Sequence, residues 1–136
     1  MEITLPILNL KLSAIRSPAM TQQAVNILQD LTSKILGKVP TLTAIVVEYV
    51  APEDWIVGGR SLQEQNKSSI YLDIKITDET NTKGEKQAYL RAVFDAFGAL
   101  LGNLHHESYI FIHDVRAGAY GYGGLTQEFR FHQQVV

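Results

Sequence analysis

The chain has 136 residues, a net charge of −2 and a pI near 6.0, with 46% hydrophobic and 19% charged residues. That is enough chain for one domain with a real apolar core, and it offers no basic field to nucleic acid or to an anionic membrane. It holds no cysteine, which excludes disulfides, thiolate metal sites and cysteine nucleophiles.

The chain opens Met1-Glu2-Ile3-Thr4-Leu5-Pro6. It lacks the basic stretch and apolar run of a signal peptide, and no later run reaches the roughly 20 apolar residues of a membrane span. A soluble cytoplasmic protein is therefore expected. From Leu8 the chain alternates strictly: Leu8, Leu10 and Leu12 on one face, Asn9 and Lys11 on the other, the pattern of a half-buried strand. Glu2 to Leu5 contain no glycine and are expected to extend this strand, with Ile3 and Leu5 covering apolar surface nearby. Ser17-Pro18 supplies a capping hydroxyl and a first-turn proline. Ala24, Ile27, Leu28, Leu31 and Ile35 then form a helical stripe, and Gly37 is placed to end it. Thr43 to Val50 reads as a second strand, rich in β-branched residues. A turn with the pair Gly58-Gly59 follows.

The second half repeats this grammar. Leu72 to Thr77 (LDIKIT) matches Leu8 to Ser13 (LNLKLS) at an offset of 64 (72 − 8). Leu36-Gly37-Lys38 matches Leu101-Gly102-Asn103, and Gly58-Gly59 matches Gly123-Gly124, both at an offset of 65 (101 − 36 and 123 − 58). Between them Leu90, Val93, Phe94, Phe97 and Leu101 repeat the helical stripe, and Ser108 to Val115 repeats the second strand. A long period present twice is a duplication rather than a solenoid. The pattern predicts a single α+β domain over 1–136 with pseudo-repeats 6–62 and 69–127. Each is a βαβ unit, and together they form one four-stranded sheet with two helices on its aliphatic face. Asn9, Lys11, Asp73 and Lys75 fall on the other face, where water and cross-strand charge pairs are expected. A ferredoxin-like sandwich has the same βαββαβ order, and pattern alone does not separate the two.

Particular residues resemble the tautomerase superfamily, which includes 4-oxalocrotonate tautomerase, macrophage migration inhibitory factor and malonate semialdehyde decarboxylase. Pro6-Ile7 opening an alternating strand, with Arg16-Ser17 ten residues on, resembles the Pro-Ile start and Gly-Arg-Ser turn of 4-oxalocrotonate tautomerase. Leu36-Gly37-Lys38 followed by Pro40 resembles the Thr-Gly-Lys-Pro-Pro stretch of the migration inhibitory factor. Tyr109 to Tyr122 (YIFIHDVRAGAYGY) resembles that family's YINYYDMNAANVGW without a gap. Tyr109, Ile110, Asp114, Ala117 and Gly121 are identical, and Tyr122 stands where the family has tryptophan. The resemblance spans roughly residues 6 to 124. It implies a homotrimer whose sheets surround a channel, with sites between subunits, a small carboxylic acid as ligand and no cofactor.

The resemblance also implies a chemistry. A free N-terminal proline, its pKa lowered in an apolar pocket, acts as general base on an enol or 2-keto acid, while cations hold the carboxylate and the developing enolate. The matching residue here is Pro6, whose nitrogen is tied in an amide with Leu5 and has no basic lone pair. Either Met1 to Leu5 are removed or are a start-site artefact, or the chemistry is changed or lost. The implied function is a tautomerase-like isomerase, impaired where Pro6 is not N-terminal; the alternative is a non-catalytic trimeric binding module using the same pocket.

By the same resemblance, Arg16 matches a carboxylate-binding arginine, Lys38 a pocket lysine and Tyr109 a pocket tyrosine. Phe111 stands where the family has a hydrogen-bonding asparagine, which makes the pocket more apolar. Arg116 and Tyr120 flank it, Trp55 is a candidate wall and Arg60 a candidate second carboxylate ligand. Five of them have a plainer alternative: a solvated loop charge for Arg16, a cation at a helix C-terminus for Lys38, packing for Trp55 and Tyr109, and a subunit interface for Tyr120. The four histidines, His105, His106, His113 and His132, show no metal-ligand spacing, and no metal is expected.

Overall fold

The structure is a computed structural model and describes residues 6–134. The expected course of Glu2 to Leu5 lies outside the described residues. The first unit comprises β1 (Ile7–Leu12), α1 (Pro18–Leu36) and β2 (Ala44–Tyr49). A hairpin of β3 (Ile56–Val57) and β4 (Arg60–Ser61) follows, then the single turn α2 (Leu62–Gln65). The second unit comprises β5 (Ile70–Thr77), α3 (Lys83–Leu101) and β6 (Tyr109–Val115). It closes with the hairpin β7 (Gly121–Tyr122) and β8 (Leu125–Thr126) and the helix α4 (Gln127–Gln134).

The four long strands form one sheet in the order β2-β1-β5-β6. β1 and β2 are parallel, β5 and β6 are parallel, and β1 and β5 meet antiparallel at the centre. Each helix-joined pair of strands is thus directly hydrogen-bonded. A ferredoxin-like sandwich instead inserts a strand between them, so the sheet order settles the question that pattern left open. Because β1 and β5 run in opposite directions, the two units are related by an internal pseudo-twofold. The start of β1 lies at the end of the sheet where β5 and β6 finish.

Local signals set the helix ends. The Ser17 side chain accepts from the Met20 N–H at 3.0 Å, and Gly37 closes α1 at φ 71°, a left-handed conformation that costs glycine little. Thr82 and Glu85 form a reciprocal capping box on α3. These bonds to the backbone and to Asn81 hold the exposed Glu85 carboxyl below its ordinary range. Leu8, Leu10, Leu12, Leu72, Ile74 and Ile76 are buried to within 1% beneath both helices, and burial of each such side chain contributes about 1.5–3 kcal/mol. Two details depart from the expected stripe. Leu90 is exposed, and Tyr89 takes the buried place beside Val93 and Phe97. Its phenol meets the buried Thr32 hydroxyl at 2.8 Å, joining α3 to α1. Burial pushes the Tyr89 pKa up to about 12.

The open sheet face is less polar than the strand pattern of β1 and β5 suggests. Lys75 pairs with Asp73 at 2.9 Å along one strand rather than across strands. β6 adds Tyr109, Phe111 and His113 as a stacked row with ring centroids 6.0 and 6.1 Å apart, and Tyr71 lies against Phe111 at 5.7 Å. Ile7 and Val46 are exposed on the same sheet. The face therefore carries an aromatic cluster on β5 and β6 and apolar Ile7 and Val46 on β1 and β2, with Asn9, Asp73 and Lys75 between them. Among the described residues no helix is long and apolar enough to cross a membrane.

Candidate active site

Pro6 is buried at the start of β1, where its carbonyl accepts from the Ala44 N–H at 3.1 Å and so starts the β1–β2 pairing. In front of it lies a cavity of about 380 Å³. Ile7, Leu42 and Ala44 make its apolar wall, Thr41 and Thr43 bring hydroxyls, and Tyr120, Gly121 and Tyr122 come over from the second hairpin. That hairpin reaches Pro6 because β6 ends on the same side as β1 begins. Its turn, Gly123-Gly124, has φ of 61° and 80°, as a tight two-residue hairpin requires. Gly121 lets the strands close: a Cβ there would lie 1.8 Å from the Leu125 carbonyl oxygen. Arg130 stacks over the Tyr122 ring at 3.8 Å and donates to the Tyr122 carbonyl at 2.9 Å, fixing that wall from α4.

Lys38 follows the Gly37 cap and is only 4% exposed. Its backbone N–H reaches the Thr32 carbonyl at 3.2 Å, which turns the chain and sends the side chain toward the second unit. There the ammonium donates to Thr80 Oγ1 at 2.9 Å. The Thr80 hydroxyl in turn donates to the Thr77 carbonyl at 2.6 Å, and the Thr77 and Tyr120 hydroxyls are hydrogen-bonded to each other. Lys38, Thr80, Thr77 and Tyr120 thus form one polar chain ending on the cavity wall. Asn81, next in the loop, donates to the Leu36 carbonyl at the end of α1 at 2.9 Å. A cation at this helix terminus is also favoured by the aligned peptide dipoles.

The remaining candidates lie elsewhere. Arg116 is exposed in the loop that leads into the second hairpin, at the Pro6 end. Arg16 is exposed beyond the far end of β1, and makes no ion pair or hydrogen bond among the described residues. Trp55, half-buried, follows β2 at that same far end, and Arg60 there faces Glu64 at 3.7 Å. Tyr109 begins β6 level with Tyr71 and Lys11, whereas Pro6 precedes Ile7, which is level with Lys75. Five residues of strand separate the two levels, roughly 16 Å by the rise of an extended chain. Phe111 sits midway on the open face, opposite Asp73. One chain therefore gathers Pro6, Lys38, Tyr120 and Arg116 at one end of the sheet and leaves Arg16, Trp55, Arg60 and Tyr109 at the other. Among the described residues no three His, Asp or Glu side chains converge as metal ligands.

Sequence reasoning missed Thr77 and Thr80. One signal was available: Thr80 stands at an offset of 64 (80 − 16) from Arg16, so the repeat marks it as the second unit's counterpart of a candidate residue.

With this geometry, similarity to solved structures becomes specific. A fused 4-OT solved as a symmetric trimer superposes with a TM-score of 0.75 at 20% identity, covering 90% of this chain and 96% of that one. A macrophage migration inhibitory factor-like protein from Entamoeba histolytica gives 0.73 at 18% identity, covering 90% and 98%. FG41 malonate semialdehyde decarboxylase, solved with the inhibitor 3-bromopropiolate, gives 0.71 at 15% identity, covering 96% and 98%. No family model and no curated protein sequence matches the chain. The chain is an α+β protein of two directly paired βαβ units, and its fold is the one these 4-OT, macrophage migration inhibitory factor-like and malonate semialdehyde decarboxylase structures share.

Proposed function

We propose that the protein is a tautomerase-like isomerase of a small 2-keto or enol carboxylic acid, working from the Pro6 cavity as one domain of two pseudo-repeats, 6–62 and 69–127. The observation that carries this reading is the placement of Pro6: buried, at the floor of an apolar cavity of about 380 Å³, in this fold. A secondary amine there would lose basicity to desolvation and suit general-base work near neutral pH. Tyr120 lines the cavity, and Lys38 and Arg116, at the same end of the sheet, are its candidate cations for the carboxylate. The malonate semialdehyde decarboxylase of like fold is inhibited by 3-bromopropiolate, itself a small carboxylate, which supports the ligand class. No cofactor is called for.

The assembly we propose is a homotrimer. The exposed aromatic cluster of the open face, Tyr71, Tyr109 and Phe111, supports it, as does the trimeric fused 4-OT of like fold. Association would also bring Arg16, Trp55, Arg60, Tyr109 and Phe111 of one subunit toward the Pro6 cavity of the next, which a single chain does not do. Light scattering should return three times 15.2 kDa; a monomer at micromolar concentration overturns the trimer. The protein is taken to work in the cytoplasm, which fractionation of its host cell tests.

The chemistry depends on the Pro6 nitrogen. In the chain as given it is an amide, which favours the second reading, a binding module with the same pocket. The test compares the full chain with a form beginning at Pro6, using phenylpyruvate tautomerisation. General-base catalysis is worth roughly 10²–10⁴-fold, so the shorter form should exceed the longer by that range. Equal, robust rates exclude Pro6 as the base. No activity in either form leaves the binding module.

A further inference from the structure

We infer that the last helix of one subunit docks on the next: α4 seats its exposed face, Glu128, Phe129 and His132, in the groove between α3 and β6 of a second copy. This rests on the trimer proposed above. α4 lies beyond residues 6–124 and divides cleanly into two faces. Gln127 is buried, and Arg130 and Phe131 are half-buried, with Arg130 against Tyr122 of the second hairpin. Glu128, Phe129 and His132 are exposed. Positions one, three and four apart share one side of a helix, so these three form a single outward face. Phe129 is 47% exposed. The Glu128 side chain makes no ion pair or hydrogen bond among the described residues. A bare ring beside an unpaired carboxylate calls for a cover that is both apolar and cationic.

The groove has that chemistry. It encloses about 420 Å³, with Leu90, Phe94 and Ile110 as apolar lining and Gln87, Arg91 and His106 as polar lining. The His106 ring is stacked with Phe94, centroids 6.3 Å apart. Arg91 has only Asp95 as a partner among the described residues, at 3.5 Å on the surface. A phenyl ring beside a carboxylate is complementary to such a lining. Its aromatic and cationic residues belong to the second unit alone: at an offset of 65 (91 − 26, 94 − 29 and 106 − 41) the first unit has Asn26, Gln29 and Thr41. Each subunit thus has one α4 and one such groove. α4 follows the second hairpin at the Pro6 end of the sheet, whereas the groove flanks the start of β6 at the other. A contact between two different surfaces is heterologous and can close into a ring. Tyr109, which the trimer brings toward the next Pro6 cavity, directly follows Ser108 of the groove wall. The same association therefore carries the groove toward the neighbour's second hairpin and the helix behind it.

The chain holds no cysteine, so an introduced pair reports on this contact alone. Asp95→Cys and His132→Cys flank the groove and the helix face without touching Arg91, Phe94, Glu128 or Phe129. The full chain carrying both should be converted by a short bismaleimide into a covalent trimer on a denaturing gel, and neither single variant should be. Light scattering that returns a trimer, with no crosslinked product, overturns the docking of α4 and leaves the trimer standing. A monomer overturns both. A charge reversal gives a second, independent reading in the otherwise native chain. Glu128→Arg and Arg91→Glu should each raise the concentration at which the trimer dissociates about tenfold, and the two together should restore it to within about threefold of wild type. A doubly reversed protein weakened by both changes contradicts the pairing, and the seating of α4 with it.

Discussion

The two ends of the sheet are built from the same repeated positions and put to different use. At the Pro6 end the counterparts are Lys38, Thr77, Thr80 and Tyr120; at the Ile70 end they are Asn103, Ser13, Arg16 and Trp55. The Ile70 end spends its polar groups on backbone. Ser13 Oγ accepts from the Ser69 N–H at 2.8 Å, Ser68 donates to the Gly102 carbonyl at 2.6 Å, and Asn103 donates to the Asn66 carbonyl at 2.8 Å. Ser69 and Ser108 share a further hydroxyl contact at 3.0 Å. Ahead of β5, the Ser69 carbonyl accepts from the Ser13 N–H at 3.1 Å, and Ser68 bridges to Leu104. At the Pro6 end the polar groups lead toward a cavity: Lys38 to Thr80, Thr80 to the Thr77 carbonyl, and the Thr77 hydroxyl to Tyr120 on the cavity wall. Hydroxyls bonded to main chain stabilise the fold at one end; at the other, on the proposed reading, a chain of hydrogen bonds ties a buried cation to the cavity wall.

The largest expected break in this comparison is at the second hairpin. Position 121 must be glycine because a Cβ would collide with the Leu125 carbonyl, whereas the counterpart in the first hairpin is Ile56, more than half exposed. Gly121→Val should open the wall that carries Tyr120 and Tyr122 and abolish detectable binding of 3-phenylpropanoate, while Ile56→Ala leaves binding within about twofold. Next in size is Ser69→Ala. It removes the hydroxyl that meets Ser108 and the Glu107 carbonyl. A loss of about 1–2 kcal/mol in urea denaturation is expected, with ligand affinity unchanged.

A third test uses what the two units share. Burial keeps Tyr89 protonated in the folded protein up to a pKa of about 12, against an ordinary tyrosine value of 10. Below pH 10 both states hold the proton and stability is unaffected. Between pH 10 and 12 the unfolded chain ionises first, so folding should weaken by roughly 1.4 kcal/mol per pH unit. Tyr89→Phe should remove that slope, at the expense of about 1 kcal/mol at pH 7 from the unpaired Thr32 hydroxyl. The smallest effect is at the α3 cap. Thr82→Ala should cost about 1 kcal/mol in a thermal melt, and acid should weaken the same cap as pH falls through the lowered Glu85 pKa.

The sheet was legible because its signal is periodic. Leu8, Leu10 and Leu12 alternate, Leu72, Ile74 and Ile76 repeat them, and alternation reports a face directly. The choice between Tyr89 and Leu90 was not legible. Hydrophobicity favours leucine, but burial went to the residue whose hydroxyl meets Thr32 in the other unit, and no local pattern carries a pairing between two helices. The site divides the same way. Pro6, Lys38 and Tyr120 were reached by resemblance to a family. Thr77 and Thr80 were not, because a threonine is common in any loop and its role here is set by where α1 ends in space. The resemblance implied sites between subunits, but aligning residues along a chain did not say that Arg16 and Tyr109 are the ones at the far end of the sheet from Pro6. That follows only from strand order and direction.

The proposal that Lys38 serves the cavity while its counterpart Asn103 serves the fold is tested most directly by one paired measurement. Lys38 and Asn103 occupy matching places after their helices. The affinity of 3-phenylpropanoate should be measured for Lys38→Ala and for Asn103→Gly, the latter because glycine tolerates the φ of 51° found there. The account predicts a loss of tenfold or more for Lys38→Ala, and a change within about twofold for Asn103→Gly, as the loss of one charge-assisted contact implies. Equal effects at the two positions, or a larger one at Asn103, would contradict it.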